Sequence, residues 1–303
     1  MITMNPIETD KLTRRFGGVT ALQEVTLAVP AGSICAVRGP NGAGKTTVLE
    51  KLLNLLEPSS GVAQVLGCDS RRLGPEQLAQ IGYVSENQQV DDRLRIGDVL
   101  ELVRGLYPTW DQTLERKLLR TFELPVERRF KALSRGMRIR ALFVAALSFR
   151  PKLLVLDEPF SGLDPLMRDD LVSTVLDLSL EDGRTILLSS HDVDEVERIA
   201  DRVIFLEAGR VTQADAVEAL RARHRKVVAR LAPAVASALK PRLGWLGFER
   251  ADETVSFVAT SAAMANDWSR ELGDEAVVTT AALSLKEIYL AYARAQRTER
   301  KER

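Results

Sequence analysis

Apolar positions along the chain shift between short compact runs and helical spacing, and these shifts mark the elements. Between Ile7 and Leu66 the runs are short and punctuated by Gly and Pro. Ala21 to Val29 alternates roughly, Pro30-Ala31-Gly32 reads as a turn, and Ser33 to Val37 is a compact apolar strand. From Lys45 to Leu56 the spacing becomes helical, with Val48, Leu49, Leu52, Leu53 and Leu56 on one face. Residues 74–133 read mostly as helices with polar surfaces, which predicts a helical insert. Strands and helices then alternate through Gly136–Leu147, Leu153–Leu156, Asp169–Leu180, Thr185–Ser190, Asp192–Ala200 and Val203–Leu206. That alternation predicts a parallel sheet covered by helices on both faces, with Ala208-Gly209 turning the chain back into Arg210-Val211.

Past Val217 the sequence turns Ala- and Arg-rich and carries no nucleotide motif. The pattern predicts strand Lys226–Leu231, helix Pro233–Lys240, and strands Trp245–Arg250 and Thr254–Ala259. A helix Ala262–Leu272, a strand Ala276–Thr280 and a helix Ser284–Arg297 follow, and the tail Arg297–Arg303 is expected to fray. The βαββαβ order is that of a split-βαβ, ferredoxin-like unit. We therefore expect an α/β domain over residues 1–215 and a small α+β domain over 216–303.

Composition narrows the function classes. Lys+Arg and Asp+Glu both total 42, so no net field draws in nucleic acid or anionic lipid. The longest apolar run, Ala141 to Leu147, is far short of the ~20 residues that span a bilayer. The first residues have neither the basic start nor the apolar stretch of a signal peptide. Any membrane role is therefore expected to run through a partner. Cys35 and Cys68 form no motif, and Cys35, in an apolar strand, reads as an inert buried thiol.

Gly39-Pro40-Asn41-Gly42-Ala43-Gly44-Lys45-Thr46 matches G-x-x-x-x-G-K-[ST] between an apolar strand and an amphipathic helix. Glycines there let backbone N–H groups, Thr47 included, close around a phosphate chain, and the helix dipole favours the anion. Lys45 is expected to reach the β- and γ-phosphates of ATP and the Thr46 hydroxyl to bind Mg²⁺. The apolar strand Leu153–Leu156 ends in Asp157-Glu158. Alone the two acids read equally well as a strand-to-loop turn. Beside a phosphate loop, Asp157 suits the magnesium shell and Glu158 suits polarising a water, because ligands bind at the carboxyl ends of parallel strands.

Around this core the order of motifs resembles the ABC ATPases over residues 7 to 212. Leu133-Ser134-Arg135-Gly136-Met137 resembles their LSGGQ signature, and Ser161-Gly162-Leu163-Asp164 looks like their D-loop. His191, in Ser189-Ser190-His191-Asp192, falls where the family has its switch histidine; without that context it reads as an ordinary polar residue, as His224 does. Phe16 lies where the family stacks an aromatic on adenine, though a strand-core Phe is a near-equal reading. The resemblance implies a dimer, of this chain or with a paralogous subunit, that sandwiches two ATP molecules. It places Ser134 and the Gly136 backbone on the partner's γ-phosphate, Asp164 at the seam and His191 on the γ-phosphate during hydrolysis. It further implies a cytoplasmic ATPase held at the membrane by a separate permease, in an ABC-2-type, drug or antibiotic exporter-like system.

The sequence also departs from that pattern. Arg135 replaces the first signature Gly and Met137 its Gln; Glu86, after Ile81-Gly82-Tyr83-Val84-Ser85, stands where many relatives have the Q-loop Gln. Glu86 is expected either to approach the metal as an oxygen ligand or to be a solvated loop acid. The alternative to a transporter subunit is a soluble non-transport ABC ATPase that regulates another complex. Ribosome-acting relatives look like two fused cores, and chromosome-acting ones carry a long coiled coil inside the core; this chain has one uninterrupted core.

Overall fold

The N-terminal alternation folds as two long antiparallel strands, β1 (Ile7–Phe16) and β2 (Val19–Val29). Then comes β3 (Ile34–Arg38), five successive buried residues, followed by helix α1 (Lys45–Leu52). This is a computed structural model, and it describes residues 5–242, 244–260, 272 and 275–301. The chain divides into two compact units, Met1–Ala214 and Asp215–Arg303.

In the first unit β4 (Ser60–Val65) and β5 (Cys68–Asp69) complete an antiparallel sheet in the order β2-β1-β4-β5. The second sheet holds β3, β6 (Ile81–Ser85), β7 (Leu153–Asp157), β8 (Thr185–Ser190), β9 (Arg202–Glu207) and β10 (Arg210–Ala216). Its order is β10-β9-β3-β8-β7-β6, and the pairs from β9 to β6 are parallel. Every residue of β7 and β8 is buried, as expected of a sheet with both faces covered. Among the covering helices are α1 on β7, α5 (Arg135–Leu147) on β6, and α7 (Val193–Ile199) on β3 and β8. Between β7 and β8 runs α6 (Pro165–Asp182), N-capped by Asp164. The β9–β10 turn has both Ala208 and Gly209 at positive φ, the two-residue geometry that matches strand twist.

Two local expectations are corrected. The helix from Lys45 stops at Leu52 rather than Leu56, because Asn54 takes a left-handed φ of 57° that ends the helical run. The stretch expected to be a helical insert from residue 74 first gives the short helix α2 (Pro75–Leu78) and then β6, an edge strand of the parallel sheet. Its run Ile81–Ser85 is too short for a helix and pairs residue by residue with Leu153–Asp157. The helices proper are α3 (Ile96–Leu106) and α4 (Gln112–Thr121). Cys35 is 1% exposed, and burial pushes its thiol up to about 12, so it is inert at neutral pH.

The second unit begins with α8 (Val217–Arg223), which lacks a capping side chain at Ala216 and so gave no start signal in the sequence. Then come β11 (Arg225–Arg230), α9 (Pro233–Ala238), β12 (Trp245–Ala251) and β13 (Thr254–Ala259). Last are β14 (Val277–Ala282) and α10 (Leu285–Lys301). The sheet order is β12-β13-β11-β14 with antiparallel pairs throughout. β11 and β12 therefore run parallel with β13 between them, which is a split βαβ arrangement. The expected helix Ala262–Leu272 lies outside the described residues except for Leu272. α10 continues to Lys301, past the Arg297 at which fraying was expected. One sheet face is apolar, with Trp245 stacked on Phe257 at 3.9 Å beside Val227, Ala229 and Val255.

His224, fully buried, ties α8 to α10: its Nδ1 lies 2.7 Å from the Leu220 carbonyl and its Nε2 3.0 Å from the Tyr292 hydroxyl. A carbonyl only accepts, so Nδ1 carries the proton and Nε2 accepts from Tyr292; the ring is neutral. Burial, chiefly, holds the imidazole below its ordinary value, and the Arg223 charge adds to this against the Leu220 hydrogen bond. The unfolded chain takes up this proton near pH 6.5, while the folded one resists it. The stabilisation is thus complete above pH 6.5 and lost as pH falls toward the folded value. We expect the melting temperature of the protein to drop between pH 7.5 and 5.5, with a flatter pH dependence in His224→Gln. Tyr292→Phe should cost about 1 kcal/mol at pH 7.5, read by denaturant titration.

Candidate active site

Parallel register sets the site. Arg38 at the end of β3 pairs with Ser190, Asp157 at the end of β7 with Ser189, and Ser85 at the end of β6 with Asp157. The loops leaving these strands therefore emerge side by side: the glycine-rich loop, then His191, Glu158 and Glu86. This is the carboxyl edge at which open parallel sheets bind ligands.

The loop from Gly39 to Gly44 closes with the Ala43 N–H donating to the Pro40 carbonyl at 3.1 Å, while Asn41 and Gly42 form its turn. Gly44 has φ 102°, and a Cβ there would lie 2.7 Å from the Ala21 carbonyl oxygen, so only glycine fits. α1 starts at the next residue. Thr46 and Thr47 lie in its first turn, and the Thr46 Oγ1 donates to Asp157 Oδ2 at 2.9 Å.

Lys45 is 6% exposed and would be costly there without partners. Its Nζ donates to the Gly39 carbonyl at 2.9 Å and the Pro40 carbonyl at 3.3 Å, and lies 3.0 Å from Glu158 Oε1. The other Glu158 oxygen is 2.7 Å from His191 Nδ1, and the His191 N–H approaches it at 3.3 Å. Burial pushes the Glu158 carboxyl up, but the His191 hydrogen bond and the Lys45 charge outweigh it. The acid sits below its ordinary value and is ionised at neutral pH. Glu158 also has φ 50°, a left-handed conformation uncommon for a side-chain-bearing residue and concentrated at functional sites.

Asp157, 2% exposed, is held from both sides. Thr46 binds one oxygen, and the fully buried Ser189 donates to the other at 2.6 Å. The Ser189 Oγ also accepts from the Glu158 N–H at 2.9 Å, so one hydroxyl fixes both acids. In the sequence Ser189 is only context for His191; the strand register opposite Asp157 is what singles it out. The sequence likewise does not single out Glu50, one turn beyond Thr46, whose carboxyl is raised first by burial and second by the Asp157 charge.

The structure gives the remaining expected residues other surroundings. Phe16, at the end of β1, is 44% exposed with the Arg14 guanidinium 4.4 Å over its ring. Ser134 N-caps α5, its Oγ accepting from the Met137 N–H at 3.2 Å. Gly136 lies against α6, where a Cβ would meet the Met167 sulfur at 2.5 Å. The Glu86 N–H donates to the Asp157 carbonyl at 3.1 Å, while its side chain is ion-paired with Arg135 rather than turned to Thr46 and Asp157.

Thr46 and Asp157 offer hard oxygens to a cation, Lys45 offers a charge to phosphate, and Glu158 offers an ionised base. Mg²⁺ is held by one or two carboxylates plus substrate phosphates, and this donor set fits it.

Comparison with known proteins converges on the same chemistry. Residues 22–161 match the model of the ABC transporter family. The bacitracin transport ATP-binding protein BcrA of Enterococcus faecalis is 33% identical over 228 residues, 75% of this chain and 74% of that protein. The Nod factor export ATP-binding protein I of Rhizobium leguminosarum bv. viciae is 35% identical over 69% of either chain. Among solved structures, an ATP-binding subunit of an ABC transporter aligns with TM-score 0.65 and 28% identity, covering 71% of this chain and 91% of that one. A dimeric bacterial ABC transporter cassette shares the fold at TM-score 0.62 and 23% identity, over 69% of this chain and 98% of that one. Among the described residues no helix is long and apolar enough to cross a membrane. The chain belongs to the ABC transporter family and is an ATP-binding, ATP-hydrolysing subunit of it.

Proposed function

We propose that two copies of this chain, or this chain and a paralogue, sandwich two ATP molecules and power export through a separate membrane permease at the cytoplasmic face. The relatives named for bacitracin transport and Nod factor export support the export reading. In this reading residues 1–215 are the ATP-binding domain, and 216–303 are an accessory domain that supplies no nucleotide chemistry.

The observation that carries the mechanism is one meeting of strand end and loop: Lys45 and Thr46 against Glu158 and Asp157. Phosphate displaces Glu158 as the counter-charge of Lys45. The Gly39, Pro40, Asn41, Gly42, Ala43 and Gly44 backbone, with the Thr47 N–H, wraps the phosphate chain, and Phe16 stacks on the adenine. Thr46 and Asp157, with Glu86 as a further oxygen, would hold Mg²⁺, which would supply positive charge to offset that of the phosphates. Freed of Lys45, ionised Glu158 takes a proton from the attacking water. His191 orients that carboxylate and then contacts the γ-phosphate. Ser134 and the Gly136 N–H contact the γ-phosphate held by the opposite subunit.

Lys45→Ala should weaken ATP binding at least tenfold by fluorescent-nucleotide titration, since a charge-assisted phosphate contact is worth about 1.5–3 kcal/mol. Glu158→Gln should bind ATP as tightly as the parent but turn it over at least ~100-fold more slowly, the range of a lost general base. It should also accumulate as a nucleotide-bound dimer in sedimentation velocity. Undiminished turnover by Glu158→Gln would remove the role given to Glu158.

For the accessory domain, a chain ending at Ala216, after β10, should keep its ATP affinity within about threefold. A folded truncated chain that no longer binds ATP would refute this division of labour.

A further inference from the structure

Arg135 and Glu86, the two departures from the family pattern that carry opposite charge, meet in space. Arg135 is the first residue of α5 and Glu86 follows β6, yet their side chains form an ion pair. The guanidinium also reaches a third loop. Its Nη2 lies 3.4 Å from the Ser161 Oγ, and a Cβ on Gly162 would fall 2.8 Å from Nη1 and 2.9 Å from Cζ. Gly162 has φ 65°, so its missing side chain suits both the turn and the flat guanidinium beside it. Three loops thus shape one seat for this side chain.

The seat is open to solvent. Arg135 is 48% and Glu86 26% exposed, and an ion pair so exposed contributes little to folding stability. Stability therefore does not account for the arrangement. A guanidinium in such a position exchanges partners at little cost, and a phosphate presents more charge and more acceptor oxygens to its planar fork than a carboxylate does.

We propose that Arg135 is a phosphate ligand acting across the dimer: on assembly its guanidinium leaves Glu86 for the terminal phosphate of the ATP held by the second copy. The inference rests on the ATP-sandwich reading above, in which the Ser134–Gly136 segment faces that nucleotide. The Glu86 pair is the resting position of the charge. Its release returns a carboxylate whose own backbone N–H is bonded to the Asp157 carbonyl at 3.1 Å, so the exchange is felt at the acid pair. Glu86 then competes with ATP for Arg135, and the two residues oppose each other in dimer formation. A bridge that merely braced the loops would make them act in the same direction.

The test uses full-length Glu158→Gln protein, with dimer fraction followed by sedimentation velocity against ATP concentration. EDTA removes any contribution of Glu86 through a metal. Adding Arg135→Gln should raise the ATP needed for half-dimerisation about tenfold, and Glu86→Gln should lower it, while ADP affinity of the monomer stays the same in both. Arg135→Lys, which keeps the charge but not the fork, should fall between; it carries the test if Arg135→Gln does not fold. Equal shifts in one direction, or no shift on losing the guanidinium, would overturn the proposal. If the Glu158→Gln parent itself fails to associate with ATP, the sandwich reading fails and the role of Arg135 goes with it. If the parent associates and Arg135 is indifferent, only Arg135 loses its role.

Discussion

In-register parallel pairing of β3, β8, β7 and β6 is the constraint on which the site depends. Neighbouring strands of such a ladder lie about 4.8 Å apart, so the groups leaving their carboxyl ends arrive within one side-chain length of each other. Lys45, Glu86, Glu158 and His191 are spread over 146 residues of sequence, and this ladder brings them to one edge.

 In that sense the chemistry follows from the sheet. Removing the register would scatter these residues while leaving each motif intact in the sequence.

Burial of charge is the second controlling factor. A lysine and a carboxylate this deep are tolerated only because each is the other's partner and because loop carbonyls, Thr46 and Ser189 satisfy what remains. The same economy explains the backbone at Glu158, whose left-handed φ is held by the Ser189 hydroxyl on its N–H. An ionised, oriented acid beside a cation that phosphate can claim is a site prepared for charge exchange. The Glu86–Arg135 pair, more exposed and spread over three loops, repeats that logic at the rim.

The second unit is held by different physics. Its sheet packs Trp245 and Phe257 on one face, and a neutral buried histidine links its first and last helices. The phosphate loop and the acid pair lie in the first unit.

The sequence by itself determined the elements that are strongly periodic or chemically punctuated. Gly44-Lys45 could only open a helix after a tight loop, Ala208-Gly209 could only turn a hairpin, and the strand ending in Asp157-Glu158 needed a cation at its end. It also determined the strand succession of the second unit, because alternation and turn residues are local properties. Tertiary structure decided what local patterns do not encode. Ile81–Ser85 became a sheet edge because β7 offered it a partner, and Ser189 became a support for both acids because register set it opposite Asp157. Glu86 turned to Arg135, a choice made by two loops that meet only in the fold. Side-chain chemistry is written residue by residue, but a pairing between distant residues exists only once packing has fixed the distance between them.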